Sequence, residues 1–195
     1  MSLEDAVRTR RETELDRLGS QKALLAVTDA TLERATVLEA AGGAVATARA
    51  TLADWAADAG DEAVAAALSA AADALREAAA RIADSLEADL PGGSEFVTLE
   101  AGSDAERVGA GLVGLPLVLD RLFLQCVSFF VNEADGTRAD LFRDLRATTG
   151  EMLAAAADLD LDGDAERAAV AVVTAAYEAY VDRLEAMGFD PKPIC

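Results

Sequence analysis

The sequence predicts an all-α fold, and two observations support this prediction. Alanine, the strongest helix former, accounts for 46 of the 195 residues. Apolar residues recur at steps of three and four along most of the chain, which is the spacing of one face of an α-helix. A chain of this length can bury a sizeable core within one domain. We therefore expect residues 1–195 to form a single helical-bundle domain.

The first half of the chain carries three predicted helical segments. The first covers about 3–26, with a break at Gly19–Ser20. The second and third keep one apolar face each, and only a short acidic turn joins them. They are therefore expected to form an antiparallel helical hairpin over about 31–89.

A non-helical stretch of about 90–103 follows, with Pro91, paired glycines and a predicted extended piece at Phe96–Leu99. A connection of this length can cross a whole bundle, so it need not separate two domains. The second half, about 104–188, carries three further predicted helices: 104–132, 136–159 and 163–187.

The predicted helix at 104–132 is the most apolar part of the chain. Its length would suit a membrane span, but Asp120 and Arg121 lie in its middle, where charges cost several kcal/mol in a bilayer. Pro116 also weakens a uniform span. We therefore expect no membrane insertion, and interpret this segment as a central bundle helix or a subunit interface.

The charge balance is strongly acidic. The chain has 36 Asp and Glu against 17 Lys and Arg, a net charge of -19, and the acids are spread along its whole length. At molar salt the Debye length is about 3 Å, which screens such self-repulsion. The composition is typical of the cytoplasm of a salt-accumulating halophile, the alternative being an acidic protein that binds basic partners. No nucleic-acid partner is expected, since acids surround the one basic cluster, Arg8, Arg10 and Arg11.

Residues 158–166 resemble part of a calcium-binding loop. Asp158, Asp160 and Asp162 occupy the first three ligand positions and Gly163 the sixth position. The twelfth position, which requires a bidentate glutamate, is Ala169. We interpret the stretch as an acidic turn in which Gly163 ends one helix and Asp162 or Asp164 caps the next. Weak cation binding at this turn is the alternative.

Glycines elsewhere indicate close packing. Gly109, Gly111 and Gly114 form a literal G-x-G-x-x-G, but that motif binds nucleotides only between a strand and a helix, and no strand precedes it. The glycines are therefore predicted to let helices approach closely. Gly42–Gly43 is interpreted as a close crossing or a kink in the second helix.

The residues for nucleophilic catalysis are missing. The chain contains no histidine, so no Ser-His or Cys-His pair can form. Cys126 lies in an apolar run and is predicted to be buried, whereas Cys195 is the last residue and is predicted to be an exposed thiol. We expect no catalytic residue and no cofactor-binding residue.

With its helices placed, the chain resembles haloarchaeal proteins of the rubrerythrin or ferritin-like kind. The stretches that carry the resemblance are RLGSQKALLAVT, TLADWAADAGDEAV, ERVGAGLVGLPLVLDR, SFFVNEADGTRADLFRDLR and MGFDPKPIC. The resemblance implies a ferritin-like antiparallel four-helix bundle with an additional N-terminal helix and a long crossover connection.

The resemblance does not extend to the metal ligands. Working ferritin-like proteins hold di-iron with glutamates from two helices and Glu-x-x-His from two others. Here Ala80 stands three residues after Glu77, and Val181 three residues after Glu178. We expect no metal, and the carboxylates left for an all-carboxylate centre are Glu39, Glu77, Glu133 and Glu178.

These observations favour a non-catalytic, soluble helical-bundle protein that acts through protein–protein contacts. It is expected to form a homodimer through the helix at 104–132, or to bind another protein. Two alternatives stay open: a residual carboxylate-bridged di-metal oxidoreductase, and a transcription antitermination or regulatory protein, a label that similar haloarchaeal sequences carry.

Overall fold

The computed structural model describes residues 2–159 and 163–191. Within these ranges the chain is helical and has no β-strand, which confirms the all-α prediction. The helices are α1 (Leu3–Arg10), α2 (Glu12–Leu18), α3 (Lys22–Val27), α4 (Arg34–Asp58), α5 (Glu62–Leu86), α6 (Asp104–Val108), a π-helical segment (Gly109–Gly114), α7 (Leu115–Asn132), α8 (Gly136–Ala157) and α9 (Gly163–Ala186).

Helices α4 and α5 pack closely along their length as an antiparallel pair. Asp61 begins α5, because its side chain accepts hydrogen bonds from the backbone N–H groups of Ala63 and Val64, at 2.8 and 3.0 Å. Such a cap satisfies donors that the first helical turn leaves free. The two helices bury Leu38, Val45, Leu52, Val64, Leu68, Leu75 and Ile82.

Helix α6, the π-helical segment and α7 run without interruption as one long central helix over residues 104–132. Ser103 and Glu106 form a capping box at its start. This helix is long and apolar enough to cross a membrane, but 67% of its most apolar window is buried inside the fold. Helices α4, α8 and α9 and the N-terminal helices cover it, which is consistent with a soluble protein.

Helix α8 pairs with α7 and also contacts α5, while α4 contacts α7. Asp135 caps α8, since it accepts hydrogen bonds from the backbone N–H and the guanidinium of Arg138. Arg138 holds the pKa of Asp135 below its usual range. Helix α9 lies on the other side of the central helix, together with α1, α2 and α3.

The connection over residues 87–103 joins opposite ends of the bundle. The connection ends at Asp104, the first residue of α6, which is tied to the turn between α4 and α5. The Asp104 carboxylate accepts hydrogen bonds from the backbone N–H groups of Asp61, at 2.8 Å, and Gly60, at 2.9 Å. These bonds, the one from Asp61 first, lower the pKa of Asp104. Since α5 ends far from the turn at Gly60, residues 87–103 must travel the length of the α4–α5 pair.

The predicted helix boundaries needed two corrections in the first half of the chain. The first segment is broken at Arg11 as well as at Gly19–Ser20, which gives three short helices. Helix α4 continues without interruption through Gly42–Gly43, and these glycines make room for the connection that passes over them. Leu90 packs over Gly42, and a Cβ at position 43 would lie 3.1 Å from the carbonyl oxygen of Gly93.

Two further expectations were wrong. Residues 96–99 form no extended strand; Phe96 and Val97 are buried within an irregular connection, because they are the apolar side chains that anchor it to the bundle. Gly163 is the first residue of α9 and does not end α8, whose last residue is Ala157. The next residue, Asp164, lies in the first turn of α9, where its negative charge interacts favourably with the positive end of the helix dipole.

Candidate functional site

The interior is apolar throughout the described residues. Alanine, leucine, valine and phenylalanine fill it, and the buried polar side chains are Thr28, Gln125 and Thr149. Each of the three donates a hydrogen bond to a backbone carbonyl. No carboxylate, lysine or arginine is buried among residues 2–159 and 163–191, and the buried ionisable side chains there are Cys126 and Tyr180.

The four candidate metal ligands do not meet. Glu39, Glu77, Glu133 and Glu178 are all exposed, on α4, on α5, at the end of α7 and on α9. Glu133 pairs instead with Arg34, Nε to Oε2, at 3.6 Å. Within the part of the chain that the structure describes, no three Asp, Glu or Cys side chains lie close enough together to hold a metal ion.

The acidic turn is only partly within the described residues, since Asp160 and Asp162 lie outside them. The carboxylates that follow already face arginines: Asp164 pairs with Arg167, and Glu166 pairs with Arg10 at 3.1 Å. Because α9 already begins at the glycine of this turn, the backbone departs from a calcium-binding loop at its sixth position.

The G-x-G-x-x-G stretch is the buried π-helical segment of the central helix. A Cβ at position 114 would lie 2.7 Å from the carbonyl oxygen of Ala169 on α9, and Gly109 is in still closer contact with Ala165. Gly111 faces Leu52 on α4. The prediction that these glycines allow close helix packing is confirmed, and the segment is inaccessible to a nucleotide.

Cys126 is fully buried in α7, and burial raises the pKa of its thiol well above the usual range. A thiol in this state is unreactive as a nucleophile. Cys195 lies outside the described residues.

The chain's own fold covers most of the central helix. Its apolar face is covered by the chain's own helices, and on its C-terminal turn Val131 is exposed. A homodimer stays a prediction.

Three large apolar side chains are exposed in the described residues, and we call them the apolar end. Leu32 is 46% exposed, Val131 51% and Phe189 41%. They come from three separate places: the loop before α4, the last turn of α7 and the segment after α9.

Contacts between these three places show that they share one end of the bundle. The pair between Arg34 and Glu133 joins the start of α4 to the end of α7. Arg183 near the end of α9 pairs with Asp29 in the loop before α4, at 3.2 Å. Chain order agrees, since α4 starts at the end where α7 and α9 finish.

A groove of about 730 Å³ adjoins this end. The loop that carries Asp29, the connection at 91–96 and helices α4 and α9 line it. Its charged residues are Asp29, Glu39, Glu95, Asp182 and Arg183, which leaves three negative charges in excess. We call this cavity the acidic groove.

Sequence reasoning did not identify the apolar end or the acidic groove. Isolated apolar residues in loops and terminal turns are common on protein surfaces. Nothing local marks Leu32, Val131 and Phe189 as neighbours, since they are far apart in the chain. The sequence carried one usable signal: Leu32 and Val131 lie at the ends of predicted helices, and Phe189 lies just beyond one.

Comparisons of the chain with models of protein families, with curated proteins and with solved structures found no match.

Proposed function

We propose that this chain is a soluble, non-catalytic helical-bundle protein that acts through protein–protein contacts at its apolar end. The observation that carries the proposal is the exposure of Leu32, Val131 and Phe189 at one end of the bundle, since these are the large apolar side chains that the described residues expose. Exposed apolar groups gathered at one place, with charged groups around them, are typical of a binding surface.

The partner in this proposal is a segment of another protein that carries apolar anchors flanked by lysine or arginine. Three half-exposed side chains cover far less than the roughly 800 Å² per partner that a stable interface buries. The apolar end alone is therefore too small for a stable dimer. A segment that also enters the acidic groove would gain contact area and charge complementarity with Asp29, Glu39 and Asp182.

The cellular setting in this proposal is the cytoplasm of a salt-accumulating archaeon. The net charge of -19 and the surface position of the described charged groups support it. In molar salt the repulsion between these groups is screened, while contact between apolar groups is retained. A binding surface in such a cell gains most of its affinity from apolar anchors.

For the scaffold, we propose a ferritin-like bundle without a metal centre. The order of the elements supports it: the pair α4–α5, a connection that runs the length of the bundle, and then the pair α7–α8. Helix α9 is an addition on the far side of the central helix. No described residue favours the di-metal oxidoreductase or the transcription antitermination alternative, so neither is proposed as a second function.

Selection from a library of 12-residue peptides displayed on phage, in 2 M KCl, tests this proposal. The selected sequences should combine apolar anchors with lysine or arginine. Binding of the selected peptides should fall at least about tenfold in a Leu32→Ser, Val131→Ser double variant, because each lost apolar contact contributes about 1 kcal/mol or more. Ala66→Ser, on the exposed face of α5, is the matched control.

Two outcomes would count against the proposal. Selected peptides that bind the double variant as tightly as the wild type would show that the apolar end is not the contact surface. Light scattering in 2 M KCl is the second measurement. If the wild type is a dimer and the double variant is a monomer, a second copy of this chain occupies the apolar end. The proposal of a basic segment from another protein would then be wrong.

A further inference from the structure

A second cleft, of about 510 Å³, lies between α1, α7 and α8, away from the apolar end. We call it the arginine cleft, because three arginines line it: Arg8, Arg121 and Arg146. Such a concentration of cations is unusual on a chain whose net charge is -19.

Two of the three arginines are already neutralised. The Nε atom of Arg8 lies 2.7 Å from Glu4 Oε1, and the Nε atom of Arg146 lies 2.8 Å from Asp120 Oδ1. The cleft contains three arginines and the two carboxylates of Glu4 and Asp120, so it has one positive charge in excess.

Arg121 has no hydrogen-bond or ion-pair partner in the described structure. Its Nε–H is buried and donates to nothing. Its side chain passes close to Gly19 and also lines a smaller cavity of about 300 Å³, which contains Glu12 and Asp16. Neither of those carboxylates forms an ion pair with Arg121. A buried donor without an acceptor costs free energy, and an anion in the cleft would remove that cost.

The remaining lining is mostly small and apolar. Leu153, Ala154 and Ala157 of α8 contribute it, with Thr149 and Gly150 beside them. A cleft of this volume, with apolar walls and a single unpaired cation, suits a small organic molecule with one charged group.

We propose that the arginine cleft binds a small organic monocarboxylate. The carboxylate pairs with the guanidinium of Arg121, whose planar arrangement of donors matches two carboxylate oxygens. The apolar body of the molecule lies against Leu153 and the α8 alanines. A dianion such as phosphate is disfavoured, since Glu4 and Asp120 border the same space and the excess is a single positive charge.

Saturation-transfer NMR with butyrate tests the proposal on the full chain in 1 M KCl. Butyrate should receive saturation from the wild-type protein, while butyramide, its neutral analogue, should not. The affinity for butyrate should fall at least about tenfold in Arg121→Gln, as expected for the loss of a charge-assisted hydrogen-bonded pair. Arg76→Gln, an exposed position on α5, removes the same charge elsewhere and should leave binding unchanged.

A second variant keeps the test valid if Arg121→Gln unfolds. Ala154→Glu places a carboxylate at an exposed position on the wall of the cleft and should also abolish butyrate binding. Ala80→Glu, exposed on α5, adds the same charge at a distance and should not.

Four results would overturn the proposal. The first two are that the wild type transfers no saturation to butyrate, and that butyrate and butyramide bind equally well. The other two are that butyrate still binds both cleft variants, and that inorganic phosphate binds more tightly than butyrate. Chloride is monitored by its own linewidth. If the chloride signal is broadened by the wild type, and Arg121→Gln removes this broadening while added butyrate does not, the cleft binds chloride and the carboxylate proposal is wrong.

Discussion

Replacing Gly114 by alanine should destabilise the fold, although alanine is the better helix former. An added Cβ would lie 2.7 Å from the carbonyl oxygen of Ala169 and 2.9 Å from Val172 Cβ. Ordinary contacts of this kind are about 3.5–4.0 Å, so α9 would have to move away from the central helix. The obstacle is a backbone carbonyl, which cannot rotate aside as a side chain can.

The magnitude follows from two opposing effects. Overpacking of a close-packed interior costs about 1–3 kcal/mol, and the gain in helix propensity from glycine to alanine is about 1 kcal/mol. Because the clash is with a backbone carbonyl, we expect the overpacking cost to lie in the upper part of that range, about 2–3 kcal/mol. The net loss in the free energy of unfolding should therefore be about 1–2 kcal/mol. For a chain of this length, that corresponds to a fall in Tm of about 2–8 °C.

The assay is urea unfolding followed by circular dichroism in 2 M KCl, with thermal unfolding as a second readout. Gly150→Ala is the matched control, because Gly150 lies in α8 and a Cβ there would have no neighbour within 4 Å. That variant should gain about 0.5–1 kcal/mol. If Gly114→Ala were as stable as the wild type, or if both variants gained stability, the close approach of the two helices would be refuted.

Four further results are expected. Asp135→Ala should lose about 1 kcal/mol of unfolding free energy, since it removes the cap of α8, and urea unfolding that matches the wild type would contradict the cap. The stability difference between wild type and Asp104→Asn should be fully present above the ordinary carboxyl pKa and shrink as pH falls through the lowered pKa of Asp104; a difference that stays constant from pH 7 to pH 2 would contradict this linkage. The Tm should rise as KCl increases from 0.1 to 2 M, because screening weakens the repulsion within a chain of net charge -19, and a flat or falling Tm would count against it. In a Cys195→Ser background, a thiol reagent should modify Cys126 only as fast as the protein unfolds, because the thiol is fully buried, and prompt modification of the native protein would argue otherwise.

The sequence was a good guide to features that local patterns control. Steps of three and four identified the apolar faces of α4 and α5, because residues at that spacing lie on one face of a helix. The glycines at 109, 111 and 114 were correctly assigned to helix packing, since no strand precedes them. Their π-helical geometry was not predicted, because it depends on how α9 fits against the central helix.

Features that depend on distant residues were predicted poorly. Gly42 and Gly43 suggested a close helix crossing or a kink, but the chain that passes over them is the connection at Leu90 and Gly93, about fifty residues later. The unpaired state of Arg121 could not be read from its neighbours in sequence, because Asp120 pairs with Arg146 of the next helix. The apolar end also combines residues whose proximity only the finished fold creates.

The apolar interior described above has a consequence for how this molecule senses its surroundings. With no charged side chain inside the described core, salt and pH act mainly on the charged groups at its surface. The arrangement of the helices is therefore independent of the salt concentration, which changes only the free energy of unfolding. Lowering the salt concentration should therefore reduce the stability of this one fold and should not produce a second one.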